Sequence, residues 1–161
     1  MAFGAAADGR LLLASGGDDG TVRVWDPVTG VPAGDPLTGH TGWVNSVAFG
    51  AGADGRLLLA SAGNDEMVQV WDPVACAPVG DPLIGHTGRW GVNSVAFGAA
   101  ADGRLLLASG GDDRTVRVWD VTTNACIETF RRRSRVVSVV MTGPLLAIGD
   151  DEGVCVIEPE V

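Results

Sequence analysis

The chain has 161 residues, 46% of them hydrophobic, and carries 20 acidic against 11 basic residues for a formal net charge of −9. This length and apolar content suffice for one folded domain, and the negative charge argues against general nucleic-acid or membrane-surface binding. No apolar run approaches the roughly 20 residues of a membrane helix. The first residues also lack the pattern of a signal peptide, so we expect a cytoplasmic protein.

One segment recurs along the chain. The stretch AFGAAADGRLLLASGGDD begins at Ala2 and returns unchanged from Ala96, and an edited copy, AFGAGADGRLLLASAGND, begins at Ala48. Self-similarity at a nearly constant spacing indicates a repeat architecture. The spacing divides the single domain, 1–161, into units of approximately 1–38, 39–84, 85–130 and 131–161. The first unit starts part-way through the pattern, and the last is degenerate and ends before an outer strand.

The elements of one unit follow from the second, 39–84. VNSVAF, from Val44, alternates as a half-buried strand does, and ADGR after it is a turn signal. LLLAS predicts a strand covered on both faces, GNDEM a second tight turn, and VQVWD a third strand. PVACAPVGDPLI predicts a looser outer strand. Because no segment has a helical period, we predict an all-β fold of small, four-stranded antiparallel sheets.

Several motifs suggest chemistry but have a simpler interpretation. GDD, from Gly17, Gly111 and Gly149, resembles a metal site but recurs at the same turn of three units. The acidic clusters lack the spacing of a calcium-binding loop, and no G-x-x-x-x-G-K phosphate-binding motif is present. Three cysteines without a CxxC motif are expected to be free thiols: Cys76, Cys126 and Cys155. We expect no catalytic residues, no metal and no cofactor.

Three Trp-Asp dipeptides stand in register at the ends of predicted strands: Trp25-Asp26, Trp71-Asp72 and Trp119-Asp120. With a preceding Gly-His, a Ser-bearing apolar strand and an Asp-containing turn, this order resembles the WD40 repeat, whose four-stranded sheets are the blades of a β-propeller. The fourth unit ends in Ile157-Glu158 where Trp-Asp is expected. The resemblance implies a partial propeller of about four repeats, either an incomplete ring or half of an oligomeric ring.

The resemblance also implies a hydrogen-bonded chain of His, Ser, Asp and Trp within each blade. Carried over by position, its members are His40, Ser61, Asp65 and Trp71 in the second unit, His86, Ser109, Asp113 and Trp119 in the third, and Ser15, Asp19 and Trp25 in the first. The fourth unit keeps Asp151 alone, with Ala147 and Ile157 at the Ser and Trp positions. A buried polar network stabilises only when complete, so we expect both terminal sheets to be the softest.

A candidate partner-binding surface lies where the units differ. GHTGWVNSV becomes GHTGRWGVNSV in the third unit, which places Arg89 beside Trp90. Trp and Arg are frequent energetic anchors, and the resemblance implies that partners often bind through the face that bears this junction. The candidate partner-binding residues are Trp43, Asn45, Arg89, Trp90 and Asn93. Alternatively, Trp90 only packs over a sheet edge. RRRSR, 131–135, is either a solvated loop or a contact for an acidic partner or phosphate.

For function, the resemblance implies a non-catalytic protein–protein interaction scaffold with an unknown protein partner. The alternatives are a propeller enzyme or small-ligand binder that uses the axial channel, and a truncated relic without independent function. With about four repeats, we expect either the C-terminal part of a larger propeller, completed by upstream repeats, or head-to-tail pairing of two chains into an eight-bladed ring. The Ala- and Gly-rich repeats, which contain no Lys, resemble those of bacterial, especially actinobacterial, proteins.

Overall fold

The structure is a computed structural model that describes residues 1–52 and 54–160. These residues form strands and turns in four separate antiparallel sheets, which confirms the all-β prediction. The described part of the chain offers no helix with the length and apolar character needed to span a bilayer.

The strands follow one another in chain order within each sheet. Sheet 1 contains β1 (Ala2–Ala5), β2 (Leu11–Gly16), β3 (Thr21–Trp25) and β4 (Leu37–Thr38). Sheet 2 contains β5 (Val44–Ala51), β6 (Leu57–Gly63), β7 (Met67–Asp72), β8 (Ala77–Pro78) and β9 (Leu83–Ile84), and its last two strands both pair with β7. Sheet 3 contains β10 (Val92–Ala99), β11 (Leu105–Gly111), β12 (Thr115–Asp120) and β13 (Ala125–Arg131). Sheet 4 contains β14 (Val136–Thr142), β15 (Leu145–Asp150) and β16 (Gly153–Ile157).

The turn between the first two strands of a sheet is built by its Asp-Gly pair. Asp8 Oδ1 accepts a hydrogen bond from the Arg10 amide at 3.0 Å, and Gly9 has a φ of 83°. Only a residue without a side chain adopts this conformation freely. Asp54 and Asp102 accept the corresponding amide hydrogen bonds in sheets 2 and 3. The Asp-Gly signal therefore fixes where each second strand begins.

The core consists of three apolar clusters, each between two consecutive sheets. We call the face of a sheet toward the preceding sheet its near face, and the opposite one its far face. In sheet 3, Leu107 and Trp119 are on the near face and Ala108 and Val118 on the far face. Larger near-face side chains thus pack on smaller far-face ones, and contacts run from sheet to sheet in chain order.

The four sheets do not close into a ring. Every pair of strands in extensive contact belongs to the same sheet or to consecutive sheets, so sheets 1 and 4 are the two ends of a stack. The near face of sheet 1 and the far face of sheet 4 consequently expose apolar side chains, among them Phe3, Val140 and Val156. This arrangement is that of a partial propeller.

Sheet 4 departs from the expected alignment by one residue. Val139 pairs with Ile148, whereas its equivalent in sheet 3, Val95, pairs with Ser109. Ile148 therefore occupies the Ser position that the sequence assigned to Ala147. The cause is the turn after β15, which is one residue shorter than the turn after β11, since Gly149 pairs with Val154 where Gly110 pairs with Val116.

Candidate functional site

A continuous hydrogen-bonded chain crosses sheet 2. His40 Nδ1 lies 2.9 Å from Asp65 Oδ2, and His40 Nε2 lies 2.7 Å from Ser61 Oγ. The Trp71 indole donates to Ser61 Oγ at 2.8 Å. Because an indole only donates and a carboxylate only accepts, the direction of the chain is fixed for a neutral His40 ring. The indole donates to Ser61, the Ser61 hydroxyl donates to His40 Nε2, and His40 Nδ1–H donates to Asp65.

Sheet 3 repeats this network and adds a donor. His86 bridges Asp113, at 3.1 Å, and Ser109, at 2.7 Å, and the Trp119 indole donates to Ser109 at 2.8 Å. The Thr115 hydroxyl also donates to Asp113 Oδ1 at 2.7 Å. Sheet 2 has Met67 at the position of this threonine and lacks the corresponding bond. The two networks therefore differ by the contacts of this threonine hydroxyl, which also lies 3.2 Å from His86 Nδ1.

The Asp113 carboxyl shows how the network selects its ionised form. Burial of the carboxyl raises its pKa, but hydrogen bonds from the His86 ring, the Thr115 hydroxyl and the Thr87 amide outweigh this effect. The net result is a pKa well below the usual range for Asp. The carboxylate is thus a permanent acceptor at neutral pH.

The first sheet contains only part of the network. The Trp25 indole donates to Ser15 Oγ at 2.9 Å, but no histidine in the described residues reaches them. Asp19 instead accepts hydrogen bonds from Thr21 and Arg23. The Thr21 hydroxyl and then the Arg23 guanidinium lower the pKa of Asp19 to about 2. Asp19 therefore stabilises its own turn and has no link to Trp25.

Sheet 4 replaces the network by an ion pair and apolar side chains. Arg132 Nε lies 2.8 Å from Asp150 Oδ2, and the Asp150 side chain is only 1% exposed. Asp150 Oδ1 also accepts the Glu152 amide at 2.9 Å, as Asp113 accepts the Thr115 amide. Asp150, not the expected Asp151, thus makes contacts like those of the network aspartates, although by register it stands opposite Val136, as Gly111 stands opposite Val92. Asp151 lies beside Arg135 in an exposed pair at 3.5 Å.

The family model described as "WD domain, G-beta repeat" matches residues 4–26, 34–72 and 78–120, which together exceed half of the chain. The chain belongs to the WD40 family. Each matched segment ends at a Trp-Asp dipeptide, where the third strand of sheets 1 to 3 ends. None of the three segments includes sheet 4. A comparison with curated proteins found no match.

The second residue of each Trp-Asp dipeptide has a role that the sequence reasoning missed. Asp72 Oδ1 caps the next turn by accepting the Val74 and Ala75 amides at 2.9 and 2.8 Å. Its Oδ2 accepts from the Arg56 guanidinium at 2.6 Å. Asp120 and Arg104 form the same pair in the next WD40 repeat. The recurrence of both the ADGR arginine and the Trp-Asp aspartate was the available signal.

The chemistry of the WD40 network is structural. Ser, His and Asp are aligned in the order of a hydrolase triad, but Ser61 and Ser109 are 0% exposed. Each hydroxyl oxygen also accepts an indole hydrogen bond. No substrate can approach these hydroxyls without opening the sheet. Across residues 1–52 and 54–160, no group of three His, Cys, Asp or Glu side chains could hold a metal ion.

The predicted partner-binding residues divide into two groups. Trp43 and Trp90 are 53% and 51% exposed, and the Arg89 guanidinium carbon lies 5.3 Å from the centre of the Trp90 ring. Asn45 and Asn93 instead donate to the Val92 and Val136 carbonyls of the following sheet, at 3.0 and 2.8 Å. These two amides are engaged within the WD40 stack, where they join consecutive sheets.

Proposed function

We propose that this WD40 protein is a non-catalytic scaffold that binds an acidic segment of a protein partner. The proposed site, which we call the Trp–Arg surface, comprises Trp43, Arg89, Trp90, Arg114 and Arg133. The observation that carries the proposal is the pair of half-exposed tryptophans in the loops before β5 and β10, one of which has the Arg89 guanidinium over its ring. Trp and Arg are over-represented among the residues that dominate binding energy.

Hydrogen bonds between the loops support the continuity of this surface. The Asn64 amide donates to the Trp43 carbonyl at 2.9 Å, and the Asn45 side chain joins Asn64 Oδ1, at 2.7 Å, to the Trp90 carbonyl, at 3.3 Å. The two tryptophans therefore belong to one set of contacting loops.

The arginines of sheets 3 and 4 extend the same set of loops. The Asp112 amide donates to the Gly91 carbonyl at 3.0 Å, and the Arg132 amide donates to the Arg114 carbonyl at 2.7 Å. The turn that carries Arg114 thus touches both the loop of Arg89 and the loop of Arg133.

Charge supports an acidic partner. Within the described part of the chain, the ion pairs use Arg10, Arg23, Arg56, Arg104, Arg132 and Arg135. The arginines of the Trp–Arg surface are outside these pairs, and Arg114 and Arg133 are exposed. Three arginines outside ion pairs, on a protein of net charge −9, favour encounter with acidic groups at this surface, although Glu66 and Asp112 also lie in its loops.

The buried networks support the binding role by fixing two of the loops. The Thr41 and Thr87 amides each donate to a network carboxylate, at 2.8 and 3.0 Å. The loops of Trp43 and Arg89 therefore begin at anchored residues. A surface that is already ordered loses less conformational entropy on binding.

The binding proposal is tested by quantitative pull-down from cells of the source organism. The variant carries Trp43→Ala, Arg89→Ala and Trp90→Ala together. The matched control carries Val28→Ala and Val74→Ala, which change exposed side chains in the turns after β3 and β7. We expect the triple variant to lose a partner that the wild type and the control retain, and rising salt to release that partner. Full retention by the triple variant contradicts the proposal.

The non-catalytic part is tested with a fluorophosphonate probe, which labels activated serine hydroxyls. We expect Ser61 and Ser109 to stay unlabelled, since both hydroxyls are buried and hydrogen-bonded. Labelling of either serine in the folded protein contradicts the proposal and favours the enzyme alternative.

We also propose a bacterial protein of a reducing compartment such as the cytoplasm. The near-identical repeats without Lys support the first part, and the unpaired state of Cys76, Cys126 and Cys155 supports the second. Intact mass after alkylation in source cells should show three alkylated thiols. An oxidised pair would contradict a reducing compartment.

A further inference from the structure

The near face of sheet 1 has the side chains that the other sheets bury. Phe3 pairs with Leu13, and Leu13 with Trp25, just as Phe97 pairs with Leu107 and Leu107 with Trp119. In sheet 3 this row packs on sheet 2, and Leu107 and Trp119 are 0% and 2% exposed. In sheet 1, Phe3 is 68% exposed and the row lines an open apolar groove.

The far face of sheet 4 has the complementary pattern. The strand registers make Leu145, Ala147, Val154 and Val156 the equivalents of Leu106, Ala108, Val116 and Val118 in sheet 3. The four residues of sheet 3 are 0% exposed because sheet 4 covers them. Leu145, Val154 and Val156 are 43%, 77% and 61% exposed. One chain therefore presents both sides of an interface that it forms three times internally.

We propose that a second copy of this chain covers both faces: the near face of sheet 1 in one copy packs on the far face of sheet 4 in the other. Two such joints, related by a two-fold axis, close a ring of eight sheets. The two faces lie at opposite ends of one stack, so within a single copy they do not meet. The expected contacts between the two copies are those that equivalent residues make between consecutive sheets of one chain.

A polar contact of the internal interfaces can also form at the joint. The hydroxyls of Ser46 and Ser94 accept backbone amides of the following sheet, from Val95 at 3.3 Å and Val139 at 3.1 Å. Ser138 is the equivalent serine of sheet 4 by register. Phe3 and Phe97 hold equivalent positions in their sheets, so Met1, two residues before Phe3, is the equivalent of Val95. The Met1 nitrogen of the second copy is therefore the donor for Ser138.

One replacement makes this joint looser than the internal interfaces. Gly4 and Gly98 lie against Phe49 and Met141, and a Cβ at either glycine would come within 2.5 to 2.7 Å of that side chain. Thr142 stands at the equivalent position of sheet 4, so Phe3 of the second copy meets a side chain there. We therefore expect weaker packing at this contact, and Thr142→Gly is expected to strengthen the pairing.

The test is sedimentation velocity of the full chain over a concentration series. We expect the wild type to approach twice the mass of one chain. Phe3→Asp and Val154→Asp should each weaken association at least 10-fold, roughly the effect of one buried charge at a close contact. The matched control is Val74→Asp, which changes an exposed valine after β7 and should leave association unchanged. Circular dichroism confirms that each variant is folded.

Mixing the two variants distinguishes head-to-tail pairing from other dimers. A Phe3→Asp copy keeps its sheet 4 face, and a Val154→Asp copy keeps its sheet 1 face. The mixture therefore has one intact joint and should form a one-to-one complex at concentrations where each variant alone is monomeric. In a dimer that pairs like faces, mixing creates no intact joint.

The proposal is overturned by a wild type that stays monomeric at every concentration, or by a dimer that neither Asp variant weakens. Open polymers overturn ring closure, and a mixture that stays monomeric overturns the head-to-tail arrangement. A Thr142→Gly variant that is folded but associates no more strongly contradicts the assigned contact with Phe3. Alanine variants of the Trp–Arg surface should leave association unchanged, so this proposal and the binding proposal can fail separately.

Discussion

Asp65 and Asp113 are the residues on which the networks of sheets 2 and 3 converge. Each carboxylate accepts one hydrogen bond from the histidine ring and another from the backbone amide of the residue after that histidine, Thr41 or Thr87. Each also accepts the amide two residues later in its own turn. One side chain thereby ties a loop, a turn and a strand together. Its removal leaves several buried donors without an acceptor.

Asp65→Ala should lower the free energy of unfolding by about 1–3 kcal/mol, because the His40 ring and the Thr41 amide lose their acceptor. Asp18→Ala is the matched control, since Asp18 is an exposed turn residue outside the network. Urea unfolding measures both variants. Equal losses for the two would contradict the role assigned to Asp65.

Met67→Thr should stabilise the protein by about 0.5–1.5 kcal/mol, the net value of a typical hydrogen bond. Thr21 and Thr115 occupy the same position in sheets 1 and 3, and each hydroxyl donates to its turn aspartate at 2.7 Å. Met67→Val is the control, because valine has the shape of threonine without the hydroxyl. A threonine variant no more stable than the valine variant would exclude a new bond to Asp65.

Acid should remove the contribution of Asp113. Its pKa in the folded protein is lowered, so the carboxylate stabilises the fold above its unfolded pKa of about 3.9 and this stabilisation is lost as the pH falls through the folded value. The stability difference between wild type and Asp113→Asn should be constant near neutral pH and shrink below about pH 4. Urea unfolding at several pH values measures it. A difference that persists unchanged in acid would contradict the assignment.

At the scale of the element, the turn between second and third strands shows how one position adapts to its surroundings. Gly20, Glu66 and Arg114 all have positive φ there, between 64° and 74°. A Cβ on Gly20 would lie 2.9 Å from the His40 carbonyl, because the loop 39–43 crosses this turn. The loop after sheet 3 differs in sequence and leaves room for Arg114.

Exchanging the two residues should therefore have unequal effects. Gly20→Arg should lower the free energy of unfolding by about 1–2 kcal/mol, the usual cost of a left-handed conformation for a residue with a side chain. Arg114→Gly should change it by less than about 1 kcal/mol, since the relief of strain is offset by greater freedom of the unfolded chain. Urea unfolding again provides the comparison, and effects of equal size and sign would contradict this account.

The strands could be predicted from sequence because period-2 alternation and Asp-Gly turns repeat, whereas the two complete networks were implied by the resemblance to the WD40 repeat. Sheet 4 could not be aligned by the same means. A single missing turn residue shifts the register, so Ile148 stands at the Ser position where Ala147 was expected, and Asp150 stands opposite Val136, where sheet 3 has Gly111 opposite Val92. The Arg132–Asp150 pair has no counterpart in the repeat to reveal it.

The roles of Asn45 and Asn93 show a second limit. Both stand beside the variable loop and suggest exposure to a partner, yet their amides join neighbouring sheets. Whether a polar side chain faces solvent or the next sheet depends on how consecutive units are stacked. One unit of sequence does not contain that information.

At the scale of the whole molecule, stability should fall from the middle of the stack to its ends. Sheets 2 and 3 have complete networks and are covered on both faces, whereas sheets 1 and 4 lack the network and each expose one apolar face. Local opening depends on such differences in burial and hydrogen bonding. The terminal faces are also the surfaces that a second copy would cover.

Hydrogen exchange, followed by mass spectrometry at low and high protein concentration, tests this account most directly. In dilute solution, amides of β2 and β15 should exchange faster than those of β6 and β11. At high concentration, amides of sheets 1 and 4 should become protected together while those of sheets 2 and 3 stay unchanged. Uniform exchange along the chain, or protection of one terminal sheet alone, would contradict a stack with two complementary ends.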